Sequence, residues 1–449
     1  MFKLNFILKI VTILLVVVFP QSRLLFAKNL YVNCGGDFKS FLRNIGDVAI
    51  DKGINKNDVL LVLKNSQRSK KVISLDRRQS TFRLSFTDFS KKAINNYRLK
   101  NGKKNIEKYK ELFQIAKSKY GVPPEVITAF WAMETDFGAV QGDIHTFSAL
   151  ATLAHDCRRP EMFQPEYIAA INLFSKGIID LKTTGAWAGE VGQVQMLPSD
   201  ILKFGKDGDN DGFIDLKKSP EDAILTAAAL ISELGWEPNQ PWIEEVIIDD
   251  KNFPWKEAGF GRDRKISSWK KLGIISRNKK FMASDNTKAT LLLPQGLKGP
   301  KFLAYSNYNI YLKWNDSFIY TVTAAHLASR FSGQKKFLSN KPDKILSLEQ
   351  MIKLQNILHN EGIADVEDGK GLYAEITNKN VSDLDLTSST LLVGKNITGE
   401  STDGSGVCTF DLSASGITSA FYESFDAVSY THLRAHETSL HLVCRLLLE

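Results

Sequence analysis

The sequence has few of the features that would place it in a specialised class of protein. Four cysteines and 30 glycines in 449 residues exclude a disulfide-rich scaffold and a collagen-like repeat. A composition of 24% charged and 10% aromatic residues excludes a disordered polypeptide. Acidic residues are in the minority, since 58 Lys and Arg against 50 Asp and Glu leave a net charge of +8. The chain is therefore predicted to be a globular protein of two or three domains with a basic surface.

The sequence also lacks the patterns of several familiar functional sites. It has no evident Ser-His-Asp arrangement of a hydrolase triad and no signature of a nucleic-acid-binding module. The histidines before the C-terminal stretch show no metal-ligand spacing; they are His145, His155, His326 and His359. The most basic stretch, residues 66–78, is either an ordinary solvated face or a surface that attracts an acidic polymer such as bacterial cell wall.

The N-terminal segment has the layout of a secretory signal. Two lysines accompany an apolar run at residues 10–19, Pro20 ends that run, and Ala27 is a small residue where cleavage is expected. Residues 1–27 are thus predicted to direct the chain to the periplasm, with an uncleaved inner-membrane anchor as the alternative. In that oxidising compartment, Cys34 and Cys157 form either one structural disulfide or two separate buried thiols.

A carboxylate on an apolar helix face is the first feature that indicates catalysis. A proline pair opens a predicted helix at residues 123–138, on which Ile127, Phe130, Trp131 and Glu134 share one face. Burial of an ionised carboxylate is costly, so the pKa of Glu134 is expected to rise toward the range of a general acid. The structural alternative is a glutamate that reaches the surface or pairs with a buried arginine.

An acidic loop at residues 207–215 is the second such feature. Its carboxylates belong to Asp207, Asp209, Asp211 and Asp215. The spacing matches the first half of an EF-hand loop, in which Gly212 would provide the bend, although Lys218 stands where that motif has a bidentate glutamate. Four carboxylates in nine residues repel one another without a cation, which predicts a structural Ca²⁺ site. A turn without metal is the alternative.

Several segments around these two features resemble the membrane-bound lytic transglycosylase B family of murein-degrading enzymes. They are CGGDF (34–38), VISLDRRQSTF (72–82), WAMETDFG (131–138), ALATLAHDCRRPEMFQPE (149–166), AWAGEVGQVQMLPSD (186–200), DGDNDGFID (207–215), LGWEPNQPW (234–242) and LKWNDSFIYTVTAAHLASRF (312–331). The resemblance implies a mainly α (α+β) fold, with a lysozyme-like catalytic domain and a small β-containing subdomain within residues 28–335. A short helical module is expected on the C-terminal side.

The activity implied by this resemblance is cleavage of the β-1,4 bond between N-acetylmuramic acid and N-acetylglucosamine in peptidoglycan. Glu134 would act alone as general acid and then base, without a cofactor for catalysis, because the C6 hydroxyl of the muramic acid closes a 1,6-anhydro ring. Hydrolases of the usual kind need two carboxylates at set separations. The implied partners are glycan strands and enzymes of cell-wall synthesis or hydrolysis, with no nucleic acid, and with a membrane only if the N-terminal segment stays uncleaved.

The resemblance also assigns a set of site residues. The implied substrate-binding residues are Gln193, Gln195, Trp314, Asn315 and Tyr320, and the implied calcium ligands are Asp207, Asp209, Asp211, Asp215 and the Phe213 carbonyl. Trp314 is expected to stack on a sugar face. The chain departs from the family pattern at Ala186, Glu190 and Ala228-Ala229, which puts rate and substrate preference in doubt. Two alternatives remain: a muramidase hydrolase that uses Glu190 as its second carboxylate, and a non-catalytic peptidoglycan-binding or scaffold protein.

The C-terminal part of the chain is predicted to contain three further segments. Residues 345–380 resemble part of a peptidoglycan-binding repeat, with an unrelated helical tail as the alternative. Residues 381–428 are rich in Ser, Thr, Gly and Asp and indicate a linker or irregular strand material. Residues 429–449 hold three of the seven histidines but resemble translated sequencing-adapter sequence, and are expected to be a non-native tail.

Overall fold

A computed structural model describes residues 31–77, 84–248, 253–296, 298–315 and 317–338, with the backbone of two short strands at 399–401 and 408–410. The predicted signal segment, the C-terminal module at 345–380 and the tail at 429–449 lie outside the described residues. So does most of the predicted linker at 381–428. Within the described part, no helix combines the length and the apolar character needed to cross a membrane.

Helices dominate the described chain. In chain order they are α1 (Phe38–Asp51), α2 (Lys56–Asn65), α3 (Lys70–Arg77), α4 (Phe86–Ala93), α5 (Asn96–Lys108), α6 (Lys110–Tyr120), α7 (Pro124–Thr135), α8 (Thr146–His155), α9 (Pro160–Ser175), α10 (Pro198–Phe204), α11 (Pro220–Glu233), α12 (Ile266–Lys271), α13 (Tyr308–Trp314) and α14 (Phe318–Phe331). Many begin and end at the residues that local chemistry favours. Ser219 caps α11 ahead of a first-turn proline, and Gly121 ends α6 in the left-handed conformation, with φ of 73°.

The strands form one small sheet and two short pairs. They are β1 (Ile144–His145), β2 (Thr184–Gly185), β3 (Ile243–Ile248), β4 (Arg264–Lys265), β5 (Ile274–Ser276), β6 (Lys288–Leu292), β7 (Lys301–Ala304), β8 (Gly399–Ser401) and β9 (Cys408–Phe410). Five of them make an antiparallel sheet in the order β4-β6-β7-β3-β5. This sheet and α12 enclose a separate small core around Trp269, Leu291 and Leu303. The mainly α fold with a small β-containing subdomain is confirmed.

Helix α7 lies in the centre of the larger core. The sequence predicts one apolar stripe on this helix, but every residue from Val126 to Thr135 is buried, because α5, α6, α11 and α14 all pack around it. A helix that is apolar on all sides belongs inside a protein. The helix ends at Thr135, three residues before the predicted end, since Asp136 adopts the left-handed conformation. Glu134 therefore occupies the last turn of a fully buried helix.

A disulfide fastens the start of the described chain to the helical core. Cys34 and Cys157 are bonded, with their Cα atoms 5.2 Å apart, so of the two alternatives the structure has the single disulfide. Beside it, the backbone N–H of Gly35 donates to the carbonyl of His155 at 2.7 Å. The crosslink spans 123 positions of sequence and joins the segment before α1 to the end of α8.

Candidate active site

The carboxyl group of Glu134 is the centre of the candidate active site. Its side chain is fully buried. Its Oε1 accepts hydrogen bonds from the indole N–H of Trp314 at 2.6 Å and from the hydroxyl of Tyr320 at 2.9 Å. These donors lie at the end of α13 and in the first turn of α14. Two donors on one oxygen orient the carboxyl group and stabilise its charged form.

The position of Trp314 contradicts its expected role in sugar stacking. The ring is fully buried and stacks on Phe130 of α7, with centroids 4.2 Å apart, so no sugar can lie on it in this arrangement. Trp314 instead holds Glu134 through its indole N–H. A sequence match places an aromatic residue here but does not say which side of the ring the protein itself covers.

Asn315 directly follows α13, and Tyr320 lies in the first turn of α14. The Asn315 side-chain oxygen accepts the backbone N–H of Ser317 at 2.8 Å, and Ser317 in turn caps α14 by accepting the N–H of Tyr320. The side chains of Asn315 and Tyr320 are both buried. The structure thus brings Trp314, Asn315 and Tyr320 to the end of α7 that carries Glu134.

A strained turn follows Glu134. Asp136, Phe137 and Gly138 have φ values of 50°, 63° and 86° in succession. Left-handed non-glycine residues cost energy and persist only where their surroundings hold them, typically at functional sites. Here the buried guanidinium of Arg98 donates to Asp136 at 2.5 Å. Sequence reasoning missed Arg98, because nothing distinguishes it from the many exposed basic residues of α5.

Gln193 and Gln195 lie in a tight turn closed by the bridge between Val191 and Met196. The Gln193 side-chain oxygen accepts the indole N–H of Trp131 at 3.1 Å. The Gln195 amide donates to the carbonyl of Gly192 at 2.8 Å. Both glutamines are 4% exposed. Their amides are thus engaged with the protein, and the turn contacts the helix that carries Glu134.

The four residues that depart from the family pattern are all in the interior. Ala186 and Glu190 belong to the same turn region as the glutamines, and the Ala186 N–H donates to the Glu190 carbonyl at 3.0 Å. Glu190 is fully buried, and Ala228 and Ala229 are buried in α11. These residues therefore belong to the packed interior of the protein.

Three carboxylates of the acidic loop converge. Asp207, Asp209 and Asp211 each place one oxygen within 4.8 Å of the others. Their oxygens also accept backbone N–H groups of the loop, as Asp207 does from Gly212 at 2.9 Å. Gly212 has φ of 92°, a conformation that favours glycine. This geometry fits a hard cation that prefers oxygen ligands.

Asp215 does not join this group, which contradicts its expected role as a ligand in this arrangement. Its carboxylate accepts the backbone N–H groups of Lys217 and Lys218, each at 3.0 Å, and pairs with the Lys218 ammonium at 3.4 Å. The Asp215 carboxylate thus caps its own turn by accepting the backbone N–H groups of the two lysines that follow it. Phe213 is an exposed residue of the same loop.

Asp222 holds the acidic loop through hydrogen bonds, a role that was not predicted from the sequence. It is buried in the first turn of α11 and accepts the backbone N–H groups of Gly208 at 2.7 Å and of Asp215 at 2.6 Å. Burial raises the pKa of the Asp222 carboxyl, against the opposing effect of these hydrogen bonds. The available signal is the Ser219-Pro-Glu-Asp222 sequence, which has the spacing of a capping box.

A family model and a curated relative match this chain. The family model described as Transglycosylase SLT domain matches residues 37–329. The curated "Membrane-bound lytic murein transglycosylase B" of Escherichia coli (strain K12) is 27% identical over 242 residues, which are 53% of this chain and 65% of that protein. The match thus spans slightly less than two thirds of that relative.

Two solved structures are similar in fold. SltB3 from Pseudomonas aeruginosa, in complex with NAG-anhNAM-pentapeptide, has a TM-score of 0.70 and 28% identity, covering 75% of this chain and 91% of that chain. The Escherichia coli lytic transglycosylase Slt35, in complex with calcium, has a TM-score of 0.57 and 25% identity, covering 67% and 95%. Because the family model extends over more than half of the sequence and over the helices that hold Glu134, this chain belongs to the transglycosylase SLT domain family.

Proposed function

We propose that the protein is a peptidoglycan lytic transglycosylase that cleaves the β-1,4 bond after N-acetylmuramic acid and leaves a 1,6-anhydro end. The observation that carries this proposal is the buried Glu134 carboxyl, held by Trp314 and Tyr320 inside a transglycosylase domain. SltB3 with bound NAG-anhNAM-pentapeptide supports it, because an anhydro sugar is what such a reaction would leave.

The proposed reaction needs one carboxyl group for two proton transfers. Protonated Glu134 donates its proton to the glycosidic oxygen as the bond to C1 of the muramic acid breaks. The resulting carboxylate then accepts the proton of the C6 hydroxyl as that oxygen bonds to C1. Between the two transfers, the hydrogen bonds from Trp314 and Tyr320 stabilise the carboxylate.

The proposed substrate-facing residues are Gln195, Asn315 and Tyr320. Support for Tyr320 comes from its hydrogen bond to Glu134. Asn315 adjoins Trp314 in the same connection, and Gln195 has a left-handed backbone, with φ of 47°, which is a frequent property of binding turns.

Mass analysis of products from purified murein sacculi tests the function. We expect muropeptides with anhydro ends, one water lighter than the corresponding reducing ends. Reducing ends that disappear in the Glu190→Gln variant would support the muramidase alternative instead. Retained binding to sacculi without soluble products from the wild-type protein would support a scaffold.

Replacement of Trp314 by phenylalanine should lower kcat about ten- to hundredfold. The variant keeps an aromatic ring against Phe130 but loses the N–H that donates to Glu134, and hydrogen bonds to charged groups contribute about 1.5–3 kcal/mol. Steady-state rates on soluble glycan strands measure the effect. A matched Trp269→Phe variant, in the core of the small sheet, should keep its kcat; equal losses in both would contradict the assignment.

We also propose that the acidic loop binds a structural Ca²⁺. Asp207, Asp209 and Asp211 supply convergent oxygens, and the Phe213 carbonyl is the further ligand that the EF-hand pattern implies. The calcium complex of Slt35 supports this choice of metal. Catalysis itself is proposed to need no cofactor.

Removal of Ca²⁺ should lower the Tm of the protein. A ligand at one hundred times its Kd stabilises the folded state by about 2.7 kcal/mol, so a chelator should lower the Tm by several degrees and excess Ca²⁺ should restore it. Asp209→Asn should abolish the shift, whereas Asp143→Asn, an exposed position outside the loop, should keep it. A Tm that does not respond to either chelator or Ca²⁺ would contradict the site.

The proposed place of action is the periplasm. A cleaved signal at residues 1–27 would deliver the catalytic region, residues 28–335, to the glycan strands, and an uncleaved segment would anchor it in the inner membrane. The curated relative is named as membrane-bound. The proposed partners are peptidoglycan and other enzymes that build or degrade it, with residues 345–380 as an additional wall-binding module. N-terminal sequencing of the exported protein distinguishes cleavage from anchoring.

A further inference from the structure

We propose that Gln193 is a positioning residue that connects the acidic loop to the last turn of α7, rather than a residue that binds the glycan. The inference deepens the proposed function and rests on it for the role of Glu134. The connection itself is a property of the fold, and it is testable without any catalytic assay.

On the side of the catalytic helix, Gln193 contacts two residues that flank Glu134. Its side-chain oxygen accepts the indole N–H of Trp131 at 3.1 Å, and its backbone carbonyl accepts the hydroxyl of Thr135 at 2.5 Å. Trp131 and Thr135 are four residues apart and therefore share one face of the helix. The Thr135 hydroxyl also accepts the N–H of Gly138 at 2.8 Å. Gln193 thus fixes both the last turn of α7 and the strained turn after it.

On the side of the acidic loop, Gln193 bonds to the residues that directly follow Asp215. Its backbone N–H donates to the carbonyl of Leu216 at 2.8 Å. The carbonyl of Lys217 accepts the side-chain amide of Gln141 at 2.8 Å, and the same amide donates to the Gly138 carbonyl at 3.1 Å. Two glutamines therefore link this segment to the turn after Glu134.

The packing around this connection leaves little freedom. A Cβ atom on Gly138 would lie 2.6 Å from the Gln193 side-chain oxygen, and one on Gly192 would lie 2.7 Å from the Leu216 carbonyl oxygen. Both distances are shorter than a van der Waals contact, so only glycine fits at either place. Closely packed groups transmit displacement because they have no space to absorb it. A shift of Leu216 should therefore move Gln193 and the helix end with it.

In this arrangement the side-chain oxygen of Gln193 contacts α7, which favours a positioning role over the expected glycan contact. The residue is 4% exposed, and its side-chain oxygen is already taken by Trp131. Loss of a glycan contact would raise KM, whereas loss of a support for Glu134 lowers kcat. The two roles therefore give different kinetic signatures.

Hydrogen–deuterium exchange tests the connection directly. Asp222→Ala removes the acceptor of the Gly208 and Asp215 N–H groups and should increase deuterium uptake in residues 207–218. In the full-length protein the increase should extend to residues 131–138. In a protein that also carries Gln193→Met, which removes the side-chain bond to Trp131 but keeps the backbone bonds to Thr135 and Leu216, the increase at 131–138 caused by Asp222→Ala should be clearly smaller.

Kinetics supply the second measurement. Gln193→Met should lower kcat about ten- to hundredfold, with KM changed less than about twofold, because small misplacements of a catalytic group have effects of this size. Gln295→Met is the matched control: this buried glutamine accepts the backbone N–H of Thr87 at 2.8 Å, and its variant should keep the wild-type kcat.

Three results would overturn the proposal. They are unchanged uptake at 131–138 in Asp222→Ala, a response at 131–138 that Gln193→Met does not reduce, and an increase in KM without a fall in kcat. The exchange results do not depend on activity. A protein that shows coupled exchange but releases no anhydro products would refute the proposed function and leave the connection in place.

Discussion

Replacement of Glu134 by glutamine is expected to abolish release of anhydro-muropeptides, with kcat reduced about a thousandfold or more. General acid–base catalysis contributes about 10²- to 10⁴-fold, and the proposed reaction uses this one carboxyl group for both proton transfers. The amide has nearly the same shape, and its oxygen can still accept from Trp314 and Tyr320. The Tm should therefore change little. Product release from sacculi, measured together with Tm, separates lost chemistry from lost folding.

The matched control is Glu190→Gln. Glu190 is the other fully buried glutamate near the candidate site, and it is the second carboxylate that a hydrolase mechanism would require. We expect the control to retain most of its activity with anhydro products. Equal loss of activity in both variants would indicate a two-carboxylate mechanism and contradict the proposed function.

Removal of the disulfide between Cys34 and Cys157 has the second large expected effect. Its closed loop spans 123 positions of sequence, and a crosslink of that length stabilises a protein by about 4–5 kcal/mol in the chain-entropy account. A Cys34→Ala/Cys157→Ala double variant should lose most of that free energy of unfolding. Denaturant titration measures it, with wild type in reducing agent as an independent comparison. An unfolding midpoint that is the same with and without the crosslink would disprove this prediction.

The neighbourhood of the disulfide explains why its loss should extend into the core. Arg158 and Arg159 follow Cys157 directly, and both pair with the buried carboxylate of Asp76 on α3. An ion pair in the interior is stabilising only while its partners remain together. We therefore expect the double variant to show increased deuterium uptake in residues 70–77 as well as near residue 34.

Helical spacing was sufficient to place Glu134 on an apolar helix face, because spacing along the chain is a local property. Periodicity puts Glu134 among apolar residues, and the structure shows it buried in the last turn of α7. The acidic loop is equally local: its alternating aspartates converge as the spacing predicts. Asp215 differs because its carboxylate accepts the nearby backbone N–H groups of Lys217 and Lys218 and does not join the other three.

Local sequence patterns could not assign the roles of residues that contact distant parts of the chain. Trp314 was expected to face a sugar, but it lies 180 positions from Glu134 in sequence and bonds to it in space. Arg98 carries no sequence pattern that sets it apart, and Gln193 was expected to bind substrate, yet both hold the turn after Glu134. Burial of these side chains depends on how α5, α13 and α14 pack around α7.

By itself, the sequence determined the helix with its glutamate, the acidic loop and the family to which these motifs belong. Each of these depends on residue types at short, regular spacing. The tertiary structure alone decided that Trp314 supports Glu134, that Asp215 caps its own turn, and that Gln193 joins the loop to the catalytic helix. The physical reason is that hydrogen-bond partners in a buried site are chosen by packing between distant elements, and spacing along the chain carries no information about that choice.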